Sequence, residues 1–464
     1  MTESFTATDP TTGTVVRAVP VLDEAALEGV LAAAEDAYET WRRWPIADRA
    51  AVLRDVARAM RDDVERLAML MTEEVGKPIT EARGEVNKAA WAAEHYADHA
   101  EEYLAPDEIA SDATRSYVQH LPLGPVLGVL PWNAPFWLAF RFCAPALMAG
   151  NTCVMKHDRN VPGCAEAIAE VIARVAAEHG APTAILQNAP MGHELVQTAL
   201  RDGRIRAVSL TGSERAGAAV ASTAAREIKP AVLELGGSDP AIVLADADLE
   251  KAAAAITTMR IINAGQSCIA AKRVIVEETV YEEFLAMYAE RLSSLKMGDP
   301  RSEETQVGPI ARADLRENLH RQVTESVTQG AKLLFGGEIP DGEGYFYPVT
   351  LLSDVEPGMT ACAEETFGPV AVVMPAANAD AALAMANDTP YGLGASVWTS
   401  SPERGEQIAR EIVAGQVAIN GIVKTDPRLP SGGVKRSGFG RELGLDGIRE
   451  FVNRQQIWVG PAVT

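Results

Sequence analysis

Ala207-Val208-Ser209-Leu210-Thr211-Gly212-Ser213-Glu214-Arg215-Ala216-Gly217 decides the fold. A short apolar run ends on Thr-Gly-Ser and opens into helix formers, so the spacing predicts a strand, a tight turn and a helix start. Gly212 lets backbone approach a ligand, and Ser213 with the free N–H groups of a helix start can hold a phosphate. The Gly-x-Gly-x-x-Gly dinucleotide fingerprint is absent, and strand–helix turns reading Gly-Ser are common, so the segment by itself is a weak signal.

Working outward, the same alternation repeats. Val126–Leu130 reads as a strand, Phe136–Met148 as a helix, Thr152–Lys156 as a strand and Cys164–His179 as a helix ended by Gly180. Ala184–Leu186, a helix over Gly192–Leu200, strand Ala207–Leu210 and a helix from Glu214 to Ile228 continue it. A second stretch follows from Asp239: strand Ala241–Leu244, a helix from Leu249, strand Arg273–Val276, helix Val280–Lys296, and more units out to Val417–Asn420. Such alternation implies an α/β fold of parallel sheets covered by helices, with ligands at the carboxyl ends of the strands.

Upstream, residues 1–20 read as an irregular entry strand. A helix capped by Asp23 follows, then a second from Ala51 to Met71 and a third from Glu81 to about Tyr103, amphipathic and without evident chemistry. Thr114–Leu123 alternates as an exposed strand, and Gln456–Val459 reads as a late one.

Size and charge bound the function. A chain of 464 residues, 47% hydrophobic and 23% charged, suits a soluble enzyme with roughly two to four domains. The net charge of −22 argues against nucleic acid or an anionic membrane as partner, since both need a basic face. The five cysteines, Cys143, Cys153, Cys164, Cys268 and Cys362, form no CxxC pair. That implies a reducing compartment, no disulfide framework and no zinc site. No basic-then-apolar leader opens the chain and no run is long enough to span a bilayer, so a cytoplasmic location is expected.

Two stretches carry chemistry. In Asn263-Ala264-Gly265-Gln266-Ser267-Cys268 a thiol sits on a small-residue turn open to close approach, and a turn or helix start beside it is expected to lower its pKa. In Leu233-Glu234-Leu235-Gly236-Gly237 a carboxylate ends a β-like run beside Gly-Gly, where a general base can meet water. A buried structural cysteine and a surface glutamate are the competing readings.

Seven motifs in order add weight: Pro131-Trp132-Asn133-Ala134-Pro135, Met155-Lys156, Leu210-Thr211-Gly212-Ser213, Leu233-Glu234-Leu235-Gly236-Gly237, Gly265-Gln266-Ser267-Cys268, Glu365-Thr366-Phe367-Gly368-Pro369-Val370 and Pro430-Ser431-Gly432-Gly433-Val434-Lys435-Arg436-Ser437-Gly438. Over essentially the whole chain this combination resembles the aldehyde dehydrogenase superfamily, and within it the short bacterial succinate-semialdehyde dehydrogenases. The resemblance implies a Rossmann-like cofactor domain over 1–113 and 127–235 and a catalytic domain over 236–436. It adds a small β extension from 114–126 and 437–464 that pairs subunits into a homodimer or homotetramer.

It also implies the roles. Cys268 attacks the aldehyde, Asn133 and the Cys268 N–H hold the oxyanion, hydride passes to a nicotinamide, and Glu234 activates the water that hydrolyses the thioester. Lys156 and Glu365 would bind the riboses, Ser213 a phosphate and Phe367 the nicotinamide, with Trp132, Gly212, Gly217 and Leu235 completing the cofactor site.

The chain departs from its relatives in places. Arg159 stands where NAD-preferring members commonly carry Glu, and a guanidinium suits the 2′-phosphate of NADP; NADP is therefore expected ahead of NAD. Arg141 matches the arginine that pairs a distal substrate carboxylate, with a structural ion pair as the competing reading. Ala134, Ile262, Thr425 and Ser431 replace aromatic residues that often line the aldehyde tunnel, which keeps a bulkier or aromatic aldehyde open as substrate. A CoA-acylating dehydrogenase is the rival enzyme class, and the presence of Glu234 argues against it.

Overall fold

A computed structural model describes residues 4–460. Residues 1–3, and residues 461–464 of the expected extension, lie outside the described residues. Two sheets dominate, as the strand–helix alternation predicts. The first orders its six strands Gly438–Phe439, Ala231–Glu234, Ala207–Thr211, Val126–Val129, Cys153–Lys156 and Leu186–Asn188, parallel except for the Gly438–Phe439 edge. Chain order runs outward in both directions from Val126–Val129. The gap between it and Ala207–Thr211 is therefore a switch point, where loops diverge and leave a crevice. Trp132 and Asn133 leave one lip of that crevice, and Gly212 and Ser213 the other.

The second sheet orders Lys332–Phe335, Thr350–Ser353, Val370–Ala376, Ala271–Glu277, Asp239–Val243, Gly394–Trp398 and Gln416–Ile419. One strand of the first sheet ends at Glu234 and the first strand of the second starts at Asp239. So short a link sets the carboxyl end of one sheet against the amino end of the next. Both the Cys268 turn and the Glu365–Gly368 loop enter the second sheet at that same end, leading into Ala271–Glu277 and Val370–Ala376.

Buried aliphatic and alanine side chains of the N-terminal helices pack on the Pro135–Ala149 helix and the first sheet in one large core. The Pro135–Ala149 helix is buried along its whole length, which explains why its sequence lacks a polar face.

Several expectations need correcting. Residues 4–20 are a regular β-hairpin, Ser4–Asp9 with Thr14–Pro20, two strands where one irregular strand is expected; the alternation was hidden by turn residues. The helix read from Ala51 to Met71 is two helices, Ile46–Asp62 and Val64–Val75, broken where Asp63 leaves helical geometry (φ −109°, ψ 20°). Ala184 and Ile185 lie in a 3₁₀ turn, and the strand starts at Leu186. The late strand is longer than expected, Val452–Val459, and pairs with Arg115–Pro122. The strand pairing also crosses the expected extension at two points: Val126 and Gly438–Phe439 belong to the first large sheet, because their backbone groups complete its ladder.

Candidate active site

The Cys268 turn is built from strain and then held from all sides. Asn263, Ala264 and Gly265 all take positive φ (53°, 52° and 75°), the left-handed region that favours glycine. Gln266 clamps this turn, its Nε2 donating to the Asn263 carbonyl (3.0 Å) and its Oε1 accepting from Ala311 N–H (2.9 Å). Arg260, fully buried without a carboxylate partner among the described residues, donates to the carbonyls of Gly265 (2.9 Å) and Gly368 (2.5 Å). Its guanidinium staples the cysteine turn to the Glu365–Gly368 loop, replacing lost hydration with carbonyl oxygens.

Asn133 is tied to the same turn. Its Nδ2 donates to the Gln266 carbonyl (3.1 Å), two residues before Cys268, and its own carbonyl accepts from Asn263 Nδ2 and Lys77 Nζ, each at 2.9 Å. An amide nitrogen carries two protons, so one remains for a ligand oxygen.

Cys268 is half-buried. Burial pushes its thiol up to about 11, against the opposing pull of Lys272 and Arg141. The expectation of a lowered pKa is corrected: no helix starts at this cysteine, and desolvation of the thiolate outweighs the nearby cations. Lys272, also fully buried, donates to the carbonyls of Ser267 (2.9 Å) and Cys268 (2.6 Å) and pairs with Glu365 (3.1 Å).

Glu234 ends its strand as expected and is buried. Arg141 donates to it at 3.2 Å and pairs with Glu442 at 2.5 Å, both through Nη2. Burial, with the Glu442 charge, holds the Glu234 carboxyl above the usual carboxylate range although Arg141 pulls it down. Glu234 and Arg141 both act electrostatically on the Cys268 thiol, so the thiol, the carboxylate and the guanidinium share one site. For Arg141 the structure shows the ion pair that competed with the substrate reading.

The other expected residues fall around this centre. Trp132 and Phe367 meet edge to face, with ring centroids 5.8 Å apart. Lys156 ends its strand half-buried, with its ammonium over the Phe5 ring and the Arg159 charge beside it. Arg159 is exposed and makes no ion pair among the described residues. A Cβ at Gly212 would meet only Leu210, at 3.8 Å, which leaves open space over the turn. Ser213 caps the Glu214–Arg226 helix, its hydroxyl accepting from Ala216 N–H (3.3 Å). Gly217 and Leu235 pack on each other, since a Cβ at Gly217 would come within 2.7 Å of the Leu235 side chain. Glu365 accepts from Gly237 N–H (3.1 Å) as well as from Lys272.

Ala134 precedes the Pro135–Ala149 helix, and Ile262 is partly exposed. Thr425 is buried, its hydroxyl accepting from Lys88 Nζ (2.9 Å). Ser431 exchanges two backbone hydrogen bonds with Glu442 (2.7 and 2.8 Å).

Sequence reading missed a set of residues on the N-terminal helices. Lys77 pairs with Glu85, and Glu85 Oε1 accepts from the N–H groups of Phe136 (3.0 Å) and Trp137 (3.2 Å) at the start of the buried helix. Glu81 accepts from Asn263 N–H (2.7 Å). Glu81, Glu85 and Lys88 recur at helical spacing on one face, a signal that was present but indistinguishable from a solvated charge stripe. Arg260, Lys272 and Glu442 were missed for the same reason.

Residues 1–457 match the aldehyde dehydrogenase family. The chain belongs to that family. Among similar proteins of the family, a probable succinate-semialdehyde dehydrogenase (NADP(+)) of Synechocystis sp. is 46% identical over 97% of this chain and 98% of its own length. A succinate semialdehyde dehydrogenase (NAD(P)+) of Escherichia coli is 43% identical over 97% of this chain and 96% of its own. The crystal structure of a succinic semialdehyde dehydrogenase from Streptococcus pyogenes in complex with NADP+ superposes with a TM-score of 0.95 at 34% identity, covering 98% of this chain and 100% of that one. The aldehyde dehydrogenase fold is thus that of the described chain, and no helix in the described residues is long and apolar enough to cross a membrane.

Proposed function

We propose that the protein oxidises succinate semialdehyde to succinate with NADP ahead of NAD, as a cytoplasmic homodimer or homotetramer. One observation carries the chemistry: Asn133 is hydrogen-bonded to the Cys268 turn while Glu234 and Arg141 act on the same thiol.

At rest Cys268 is a thiol, so its proton must leave as the sulfur adds to the aldehyde carbon. Glu234, whose pKa is raised by burial and which acts on the same thiol, is the group that takes it. The carbonyl oxygen becomes an alkoxide, which the second Asn133 N–H and the Cys268 N–H stabilise. A bound nicotinamide cofactor would supply the hydride acceptor, so that the carbon held on Cys268 reaches the oxidation level of a thioester. Once Glu234 has passed that first proton to solvent, it draws a proton from water, the water oxygen attacks the thioester carbon, and the acid product departs as the leaving sulfur takes the proton back from Glu234 to restore the thiol.

The residues present fit such a cofactor. The open turn at Gly212 and the start of the Glu214–Arg226 helix suit a pyrophosphate, Trp132 and Phe367 offer apolar ring surface, and Lys156 with the unpaired Arg159 suits a ribose bearing a 2′-phosphate. For the substrate, support comes from the names of the relatives above and from Arg141, whose Nη1 has no hydrogen-bond partner among the described residues.

Cys268→Ala is expected to abolish oxidation, whereas Glu234→Gln slows both the first burst of reduced cofactor and the steady-state turnover that follows it. Full steady-state activity in either variant overturns the mechanism. Oxidation that requires CoA and yields an acyl-CoA overturns the assignment of the acceptor.

A further inference from the structure

We infer that Lys88 supplies the net positive charge that selects an aldehyde with a distal carboxylate. The inference rests on the substrate reading above and names a residue on which that reading did not rely.

Arg141 is a poor source of net charge. Its guanidinium already serves Glu234 and Glu442, so the three together carry no surplus positive charge. A ligand carboxylate brought to them gains hydrogen bonds to Nη1 and meets two neighbouring acids. Lys88 differs. Its ammonium makes no ion pair among the described residues; its one hydrogen bond goes to the Thr425 hydroxyl, and the Trp137 ring lies beneath it with 4.1 Å between nitrogen and ring centroid. Thr425 stands at a tunnel position of the family, and Trp137 is one helical turn from Arg141 on the same helix. The unpaired ammonium, held in place over the aromatic face, and the Thr425 hydroxyl, whose own proton is free to donate, make a receptor for one carboxylate.

The charges around Lys88 come from each packed element. Glu85 lies one turn back on its own helix, Arg141 on the buried helix, and Asp426 with Lys424 on the loop beyond Gln416–Ile419. Burial, helped by Arg141, lowers the Lys88 pKa to about 8 even though Glu85 and Asp426 oppose it. A bound carboxylate favours the charged form and repays part of that desolvation. The sign follows: the ammonium is present below about pH 8 and is lost above it, so preference for the acidic aldehyde weakens as pH rises through that value.

The test compares succinate semialdehyde with butanal in the intact enzyme, Lys88→Met and Lys88→Arg. In Lys88→Met the ratio of kcat/KM for the acidic over the neutral aldehyde is expected to fall about tenfold or more, through KM, and Lys88→Arg to keep most of it. A cofactor-free readout runs beside it: succinate protects Cys268 of the unmodified protein from iodoacetamide, and about tenfold more succinate is needed in Lys88→Met. In the unmodified protein the acidic-to-neutral ratio also declines between pH 7 and 9, and in Lys88→Met it is flat. Equal losses on both aldehydes, or a preference that survives Lys88→Met, overturn the role of Lys88 alone. An unmodified enzyme with no preference for the acidic aldehyde overturns the substrate reading and Lys88 with it.

Discussion

At Cys268 the structure sets a problem and its solution in neighbouring atoms. A thiol pushed up to about 11 by burial is protected from adventitious oxidation at neutral pH, because the thiolate is the reactive form. Lys272 and Arg141 lower the cost of ionising it, and Glu234, held above the carboxylate range, is matched to take a proton near neutrality. The proposed preference for NADP is likewise a single-residue matter. Arg159 is exposed and free of carboxylates among the described residues, and its charge lies beside Lys156. Arg159→Glu is expected to lower the NADP-to-NAD ratio of kcat/KM by about a hundredfold, on the order of two charge-assisted hydrogen bonds. Steady-state kinetics with both cofactors check it; an unchanged ratio removes Arg159 from the site.

At the scale of elements, the site is assembled by short pieces whose backbones are forced together. The cysteine turn holds three successive left-handed residues, a conformation that persists only where surroundings over-determine it. Gly265 is the tightest point: a Cβ there would lie 2.2 Å from the Gly368 carbonyl oxygen. Gly265→Ala therefore must move either the turn or the Glu365–Gly368 loop. It is expected to destabilise the protein by about 2–4 kcal/mol and to lower kcat by more than tenfold. Urea unfolding and steady-state kinetics measure the two effects; wild-type stability and rate would show that the turn is not pinned.

The helices read as carrying no chemistry prove to be supports at this scale. Glu85 accepts from the free N–H groups that start the Pro135–Ala149 helix, while Lys77 beside it donates to the Asn133 carbonyl. One ion pair thereby fixes both the helix that bears Arg141 and the loop that bears Asn133. No periodicity distinguishes such a pair from a solvated one. Its partners lie more than forty residues away in sequence, and only packing makes the stripe face inward.

At the scale of the whole molecule, the three-stranded sheet has an uncovered edge among the described residues. Val452–Val459 pairs there with Arg115–Pro122 on one side only, and Trp458 and Val459 are half exposed along it. Free strand edges of this length are normally covered, and a second copy of the chain is the cover that the proposed oligomer supplies. Trp458→Glu is expected to shift the assembly toward smaller species in light scattering, with secondary structure unchanged by circular dichroism. A mass identical to that of the unmodified protein would place the contact elsewhere.

Sequence by itself determined the class of fold and the strand–helix order between Val126 and Lys296, and it singled out Cys268, Glu234 and Asn133 as candidates for nucleophile, base and oxyanion amide. Those are local signals: apolar period, turn residues, and motifs whose members are adjacent in the chain. Only the tertiary structure decided that Asn133 is anchored two residues before Cys268, that Arg141 is shared between Glu234 and Glu442, and that Lys77, Glu85, Lys88, Arg260 and Lys272 serve the site. A charged side chain has the same letter whether water or a buried carbonyl solvates it, and the difference is made by whichever distant segment folds against it.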